Sequence, residues 1–501
     1  MFIASDNTTI FILLIALGIL GWGYYRSRPY GKAGLLSWLQ SASLMAPWLL
    51  FFGLAAFGIY INFVSILLLF VASTGLYIYL GRRMRAIADE ETPETPPAPS
   101  DAPHAAENES SPGEAETRTT PEPDATPAPE PAPIPPEDLK VIQGIFGIDT
   151  FFATETFPYQ DGAIFKGNLR SDPDEAYNRL SASLEDKMGD RYRLFLIEDP
   201  EGKPVAIVLP SRNDPKPTTV PQTVLALILL AITVATTFQA GGLLMGFDFF
   251  SELNRYREIL PIVVGVGAVL AAHEIAHQVM ARHYDVKFSL PFFIPTVQIG
   301  TFGAFNRFES AIPNRQVLFD VALAGPAAGG LLSLLMLLAG LILSHQGSLF
   351  QVPTAFFQGS VLVGTLAKAI LGSALNQTIV DVHPLTIIGW LGLVITAINL
   401  MPAGQLDGGR IMQSIYGRKV AGRSTFATFI VLAIASLVNP LALYWAAVIL
   451  ILQRNLERPS LNELTEPDDT RAALGLLALF LMIATLFPLT PALASRLGIG
   501  G

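Results

Sequence analysis

The stretch Ile259-Leu260-Pro261-Ile262-Val263-Val264-Gly265-Val266-Gly267-Ala268-Val269-Leu270-Ala271-Ala272 runs without a charge into His273-Glu274-Ile275-Ala276-His277. On a helix, positions i and i+4 share a face. His273 and His277 are therefore spaced to hold one Zn²⁺, with Glu274 beside the metal as a general base. Ionisable side chains are costly in a segment meant for hydrocarbon, and they mark function there. The accidental alternative has Glu274 merely pairing with Arg282 or a histidine.

Composition agrees with a membrane setting. Of 501 residues, 51% are hydrophobic, and long uncharged runs recur. That pattern predicts an α-helical polytopic membrane protein, with about eight to ten transmembrane helices by length. No cysteine is present, so any metal must use His, Asp or Glu. The formal charge of −10 is concentrated in one place. Between Asp89 and Asp138 there are 14 acidic residues and one base, Arg118, so the remainder is close to neutral. Nothing in this distribution suggests nucleic-acid binding.

Four regions follow from the chain's punctuation. Residues 1–87 read as a membrane region of about three helices: Thr9 to Tyr25, then two more between Trp38 and Leu80 with a turn near Asn62. Thr9 to Tyr25 lacks a basic leader and a clear cleavage site, so it reads as a retained helix. Residues 88–136 hold 14 prolines and read as a disordered acidic linker. Residues 137–217 read as a small soluble α+β domain. Ala163 to Arg170 alternates like a strand. Tyr177, Leu180, Leu184 and Met188 share a helical face, and Tyr192 to Ile197 pairs with Pro204 to Pro210 through Glu201-Gly202-Lys203. This domain shows no catalytic constellation, and a regulatory or substrate-handling role is the expectation.

Residues 218–501 form the second hydrophobic block. Spans are expected at Val220 to Leu244, Ile259 to Arg282, 316–344, Pro384 to Pro402 and Ala472 to Leu486. Residues 355–372 read as re-entrant or spanning. Thr425 to Leu452 reads as one tilted helix or as a hairpin turning at Asn439-Pro440, with Arg454 and Arg458 favouring the hairpin. The clusters Arg26, Arg28, Lys32 and Arg82, Arg83, Arg85 put the N-terminus outside and the linker in the cytoplasm or stroma. The motif then falls in the cytoplasmic third of its helix.

A catalytic zinc needs three protein ligands and an open position. His283 lies roughly 80° off the motif's face at 3.6 residues per turn. Asp285 and Glu309 sit in expected loops, and His345 and His383 fall on the opposite side. Asp407 is the strongest candidate, in Asn399-Leu400-Met401-Pro402-Ala403-Gly404-Gln405-Leu406-Asp407-Gly408-Gly409-Arg410. Pro402 and Gly404 break the helix, and Gly408-Gly409 permits a tight turn. The competing reading makes Asp407 a helix N-cap.

His273-Glu274-x-x-His277 followed by Asn399-x-x-Pro402-x-x-x-Leu406-Asp407-Gly408 resembles the site-2 protease family of intramembrane zinc metalloproteases. Within it, the chain is similar to the chloroplast and cyanobacterial branch of ethylene-dependent gravitropism-deficient and yellow-green proteins. Gly144-Ile145-Phe146-Gly147, Lys166-Gly167-Asn168-Leu169-Arg170 and Arg458-Pro459-Ser460-Leu461-Asn462-Glu463-Leu464 match that branch. The resemblance covers residues from about 138 to the C-terminus. It implies His273, His277 and Asp407 as zinc ligands, Glu274 as catalytic base, Asn399 as support for substrate or oxyanion, and Pro402 as the helix break at the site. It also implies a re-entrant element at Gly300-Thr301-Phe302-Gly303, against the alternative of an interfacial loop. Gly325-Pro326-Ala327-Ala328-Gly329 supplies a small-residue face for close helix packing. The implied activity is hydrolysis of peptide bonds in or near transmembrane segments of membrane-protein substrates, in a cyanobacterial-type plasma or thylakoid membrane, or a plastid membrane, with the site towards the cytoplasm or stroma. The competing function is a proteolytically inactive metal-binding protein or zinc transporter using the same ligands. Oligomeric state is not legible.

Overall fold

The computed structural model describes residues 134–499 except 200, 438 and 454. Nearer the N-terminus it describes residues 31–56, residues 20, 21, 23–25, 27 and 28, and single positions between 73 and 83. The turn near Asn62, most of the span expected over residues 9–25 and most of the linker expected over 88–136 lie outside the described residues. The chain divides into two units, Met1–Asp124 and Ala125–Gly501. The first contains helix α1 (Gly31–Ala56), with Pro47 inside it. The Trp38 indole there donates to the Leu20 carbonyl at 2.9 Å.

The second unit opens with a small domain. Its elements are α2 (Pro136–Gln143), β1 (Phe151–Tyr159), β2 (Gly162–Leu169), α3 (Pro173–Met188), β3 (Tyr192–Glu198) and β4 (Pro204–Pro210). The four strands form an antiparallel sheet in the order β1-β2-β4-β3. α3 starts where Asp172 accepts from the Asp174 amide and stops at Gly189, whose φ is +59°. Its Ala176, Leu180, Leu184 and Met188 pack on the sheet face carrying Phe165, Leu194, Leu196, Ala206 and Val208. The opposite face carries Phe195, Ile197, Ile207 and Leu209 and borders a cleft. α2 begins at Pro136, where the linker was expected to end, and β1 has no counterpart among the expected strands.

The segment Leu461-Asn462-Glu463 clasps this domain to the helical core. The Leu196 amide donates to the Leu461 carbonyl at 2.8 Å, and the Glu463 amide donates to the Leu196 carbonyl at 2.9 Å. On its other side, the Leu461 amide donates to Ile312 and the Asn462 amide to Pro313. Backbone pairing on both edges gives one fixed register. The part played by these three residues of the matched motif is thus architectural.

The core comprises α4 (Val220–Leu244), α5 (Tyr256–His283), the hairpin β5 (Phe292–Thr296) and β6 (Gly300–Phe305), α6 (Arg315–Leu343), β7 (Phe350–Pro353), α7 (Val361–Leu371), β8 (Ile379–Val382), α8 (Pro384–Asn399), α9 (Asp407–Ala435), α10 (Pro440–Val448), α11 (Asp469–Leu486) and α12 (Pro491–Leu497). Among the described residues, four helices are long and apolar enough to cross a membrane: α4, α5 with its preceding turn, α6 and α11. α8 is apolar nearly all round, and most of it is buried. It lies very close to α6: a Cβ on Gly340 would meet the Thr386 nitrogen at 2.2 Å, and one on Gly389 the Leu337 nitrogen at 2.3 Å. α7 has 11 residues, about 16 Å, too short for a full span. α9 ends at Ala435 and α10 begins at Pro440, so one continuous tilted helix over Thr425 to Leu452 does not form. Asn439 caps α10 instead, accepting from the Leu441 amide.

Candidate active site

The site is built on α5, which carries the histidine motif in its last three turns. His273 and His277 point the same way, as their spacing requires. Both meet Asp407, 134 residues beyond His273. The two Nε2 atoms are 3.1 Å apart, and Asp407 Oδ2 lies 3.2 Å from the first and 3.4 Å from the second. All three side chains are buried, His277 to 1% exposure.

This triangle fits zinc. Tetrahedral coordination with Zn–N and Zn–O bonds of about 2.0–2.1 Å sets donor–donor separations near ~3.3 Å. The three observed edges bracket that value, so the donors define one face of a tetrahedron and leave a fourth vertex. His277 Nδ1 faces the Val321 carbonyl at 2.7 Å. Only the Nδ1-protonated tautomer donates there, which leaves the Nε2 lone pair for the metal.

The approach of α6 depends on two glycines. A Cβ on Gly325 would meet His277 Nε2 at 2.2 Å, and one on Gly329 would meet His273 Cβ at 3.1 Å. The small residues of the Gly-Pro-Ala-Ala-Gly run therefore make room for the two imidazoles between α5 and α6. Packing was the right expectation, and the rings are what is packed.

Asp407 reaches α5 because the chain before it folds tightly. α8 ends at Asn399, and Pro402 lies in the turn that follows. Gly404 adopts φ +51°, and a Cβ there would meet the Gln453 carbonyl oxygen at 1.6 Å. A Cβ on Gly408 would meet the Leu400 oxygen at 1.9 Å. Glycine at these positions lets the start of α9 double back on its own approach loop. The N-cap of α9 is Leu406, and the Asp407 carboxylate faces the histidines, so the capping alternative fails.

Glu274 lies beside the triangle, and Arg282 is not its partner. Its Oε2 accepts from Asn306 Nδ2 at 2.7 Å. The Asn306 carbonyl accepts from Arg410 Nη2 at 2.6 Å. Arg410, 2% exposed, is held by Glu457 at 2.8 Å and lies over the Phe308 ring at 5.0 Å. Asn306, Arg410 and Glu457 were not singled out from the sequence. A buried charge needs a partner, and Arg410 within the Asp407 motif was the one available hint. We expect Asn306→Ala to lower kcat about 10- to 100-fold, the scale of one hydrogen bond to a charged group. Metal analysis of the purified variant should show unchanged zinc, and full activity would separate Asn306 from Glu274.

Asn399 stands outside the triangle. Its Nδ2 donates to the Phe302 carbonyl of β6 at 3.1 Å and to Ile395 at 2.8 Å. The glycine-rich stretch after the motif forms the paired β5–β6 hairpin. Gly303, at φ +102°, lets Asn399 approach: a Cβ there would meet Nδ2 at 2.3 Å. Thr236 on α4 holds the hairpin's other end, donating to the Gly300 carbonyl at 2.7 Å. The hairpin's backbone is thus held by side chains of α4 and α8. The other histidines and acids considered as ligands lie elsewhere: Glu309 accepts from the Thr218 amide, and His383 caps α8.

Two imidazoles and a carboxylate, with a second carboxylate held beside them on a membrane-type helix, make up the donor set and base of a metallopeptidase. Residues 261–438 match the model of peptidase family M50, and residues 140–216 match that of the EGY3 middle domain. The probable zinc metalloprotease EGY2, chloroplastic, of Arabidopsis thaliana is 39% identical over 71% of this chain and 65% of its own length. EGY1 of the same plant, also named a probable zinc metalloprotease, is 37% identical over 73% of this chain and 74% of its own length. The probable zinc metallopeptidase EGY3 is 32% identical over 70% and 65%. The chain thus spans about two thirds to three quarters of the length of these curated relatives. No solved structure matches it. The chain belongs to peptidase family M50, the site-2 protease family, and matches its EGY-like branch.

Proposed function

We propose that this chain is a polytopic intramembrane zinc endopeptidase that hydrolyses peptide bonds in or near transmembrane segments of membrane-protein substrates. The observation that carries this reading is the zinc-sized triangle of His273, His277 and Asp407 with Glu274 beside it, on a helix long and apolar enough to cross a membrane. Bound zinc supplies Lewis-acid chemistry, polarising the scissile carbonyl and acidifying water. Glu274 takes the proton from the attacking water and returns it to the leaving amine. Asn306 fixes one carboxylate oxygen of Glu274 and so sets the direction of the other. Asn399, pinned to β6, supports the substrate or the developing oxyanion through the hairpin it holds, and Pro402 ends α8 so that Asp407 can turn back.

A helical substrate hides its peptide bonds, so the segment must unwind where it is cut. Gly, Pro or Asn near the scissile bond favours that. The bilayer is the working solvent, no nucleic acid takes part, and the relatives' chloroplastic names support a plastid or cyanobacterial-type membrane. On this reading the site faces the cytoplasmic or stromal side. The test is cleavage of a transmembrane substrate by the purified full chain in liposomes. Cleavage should stop with a chelator and return with Zn²⁺. Zinc flux across the liposomes without cleavage would replace this reading with a transporter.

A further inference from the structure

A cleft of about 1000 Å³ lies between the small domain and the helical core. One wall is the sheet face of Phe195, Ile197, Ile207 and Leu209. The facing wall includes Arg307, Phe308, Ile312 and Gln405. That wall adjoins the site. Phe308 is two residues from Asn306, Gln405 two from Asp407, and Glu457 both borders the cleft and holds Arg410. Three links, Glu457 to Arg410 to Asn306 to Glu274, separate the cleft from the base.

The charges in the cleft do not cancel. Its acids are engaged: Asp214 by Arg193 at 2.9 Å, Asp161 by Arg212 at 2.8 Å and Glu457 by Arg410. Burial would raise the Asp161 carboxyl, but hydrogen bonds from Asn213 and Arg212 outweigh it and hold Asp161 below its usual range. Lys216 and Arg458 line the same cleft, are exposed, and make no ion pair among the described residues. The Arg458 guanidinium donates to the Asn213 carbonyl at 3.1 Å, and its backbone amide to Glu457 Oε1 at 3.1 Å. The rim is therefore cationic and the wall apolar.

We propose that this cleft binds an extended peptide segment of the substrate, flanking the scissile bond on the domain side, in which acidic residues alternate with apolar ones. In an extended chain successive side chains point to opposite sides, so apolar residues meet the sheet wall while acidic ones meet Lys216 and Arg458. Flanks rich in Lys and Arg, the common kind on the cytoplasmic side of membrane proteins, are repelled. The clasp at 461–463 fixes the domain over the core and so fixes the cleft as a charge filter. This assignment rests on the proteolytic reading above, and its test has a binding arm that does not.

In the binding arm, full-length Glu274→Gln protein in detergent is titrated with a fluorescent peptide of alternating Leu and Glu, and with its Leu and Lys counterpart. The acidic peptide should bind about tenfold tighter at low salt, the scale expected for two rim charges. The double variant Lys216→Glu/Arg458→Glu, both sites exposed and outside the packed core, should reverse the preference. In the cleavage arm, wild-type protein in liposomes receives one transmembrane substrate with either flank, and the acidic flank should give about tenfold higher kcat/KM. Equal binding of the two peptides, or no reversal in the double variant, overturns the cleft. Binding of the acidic peptide with neither substrate cleaved leaves the cleft standing and removes the proteolytic reading.

Discussion

Glu274→Gln is expected to slow peptide-bond cleavage by about 10²–10⁴-fold, the range for loss of a general acid–base group, and to leave zinc content unchanged. Glutamine keeps the volume of the side chain and an oxygen that can still accept from Asn306 Nδ2, the partner now 2.7 Å from Oε2. It cannot take a proton from water. The three donors are untouched, since none of their contacts with one another runs through Glu274. The variant should therefore purify with the metal stoichiometry of wild type and bind substrate without turning it over. A wild-type rate from that preparation would remove Glu274 from the reaction. A loss of zinc alongside activity would instead make Glu274 part of the metal's support.

What could be read in the sequence follows from how local each feature is. Four long helices announced themselves through apolar runs, α4 where the pattern put it and α5, α6 and α11 within a few residues. α3 came from its amphipathic face, and α9 (Asp407–Ala435) was not anticipated because its first half is charged and glycine-rich. β1 gave no signal because nearly all of it is solvent-facing, so it has no alternation to detect. α2 was hidden at the end of a proline run, where its first residue, Pro136, reads as linker although proline suits the first helical turn. The pairing of His273 with His277 is a property of one helix and needed nothing else. Asp407 required either the topology or the family resemblance. Asn306, Arg410 and Glu457 come from three separate segments and meet only through packing, so no window of sequence contains their relation.

Gly325→Ala is expected to weaken zinc binding by about 10- to 100-fold, the range seen when groups supporting a ligand are lost, and cleavage should fall with it. The added methyl would stand 2.2 Å from His277 Nε2, 2.5 Å from Cδ2 and 2.7 Å from Cε1. Contacts that short cannot persist, so the ring or the helix must move. The ring is held from behind, because His277 Nδ1 is 2.7 Å from the Val321 carbonyl on the same helix as Gly325. The helix is held too: α6 meets α8 backbone to backbone at Gly340 and Gly389. The least costly relief is rotation of the imidazole, which carries Nε2 away from the other two donors. Overpacking of this kind costs about 1–3 kcal/mol, and a ligand displaced from its vertex loses the metal before the fold is lost. Gly330→Ala is the matched control on the same helix. Its nearest neighbour would be Thr396 Cγ2 at 3.4 Å, an ordinary contact, so zinc content and activity should stay near wild type. Zinc content measured on both purified variants decides the matter. If Gly325→Ala keeps full metal and full activity, the two glycines serve only the approach of α6 to α5, and the imidazoles do not depend on the space they leave.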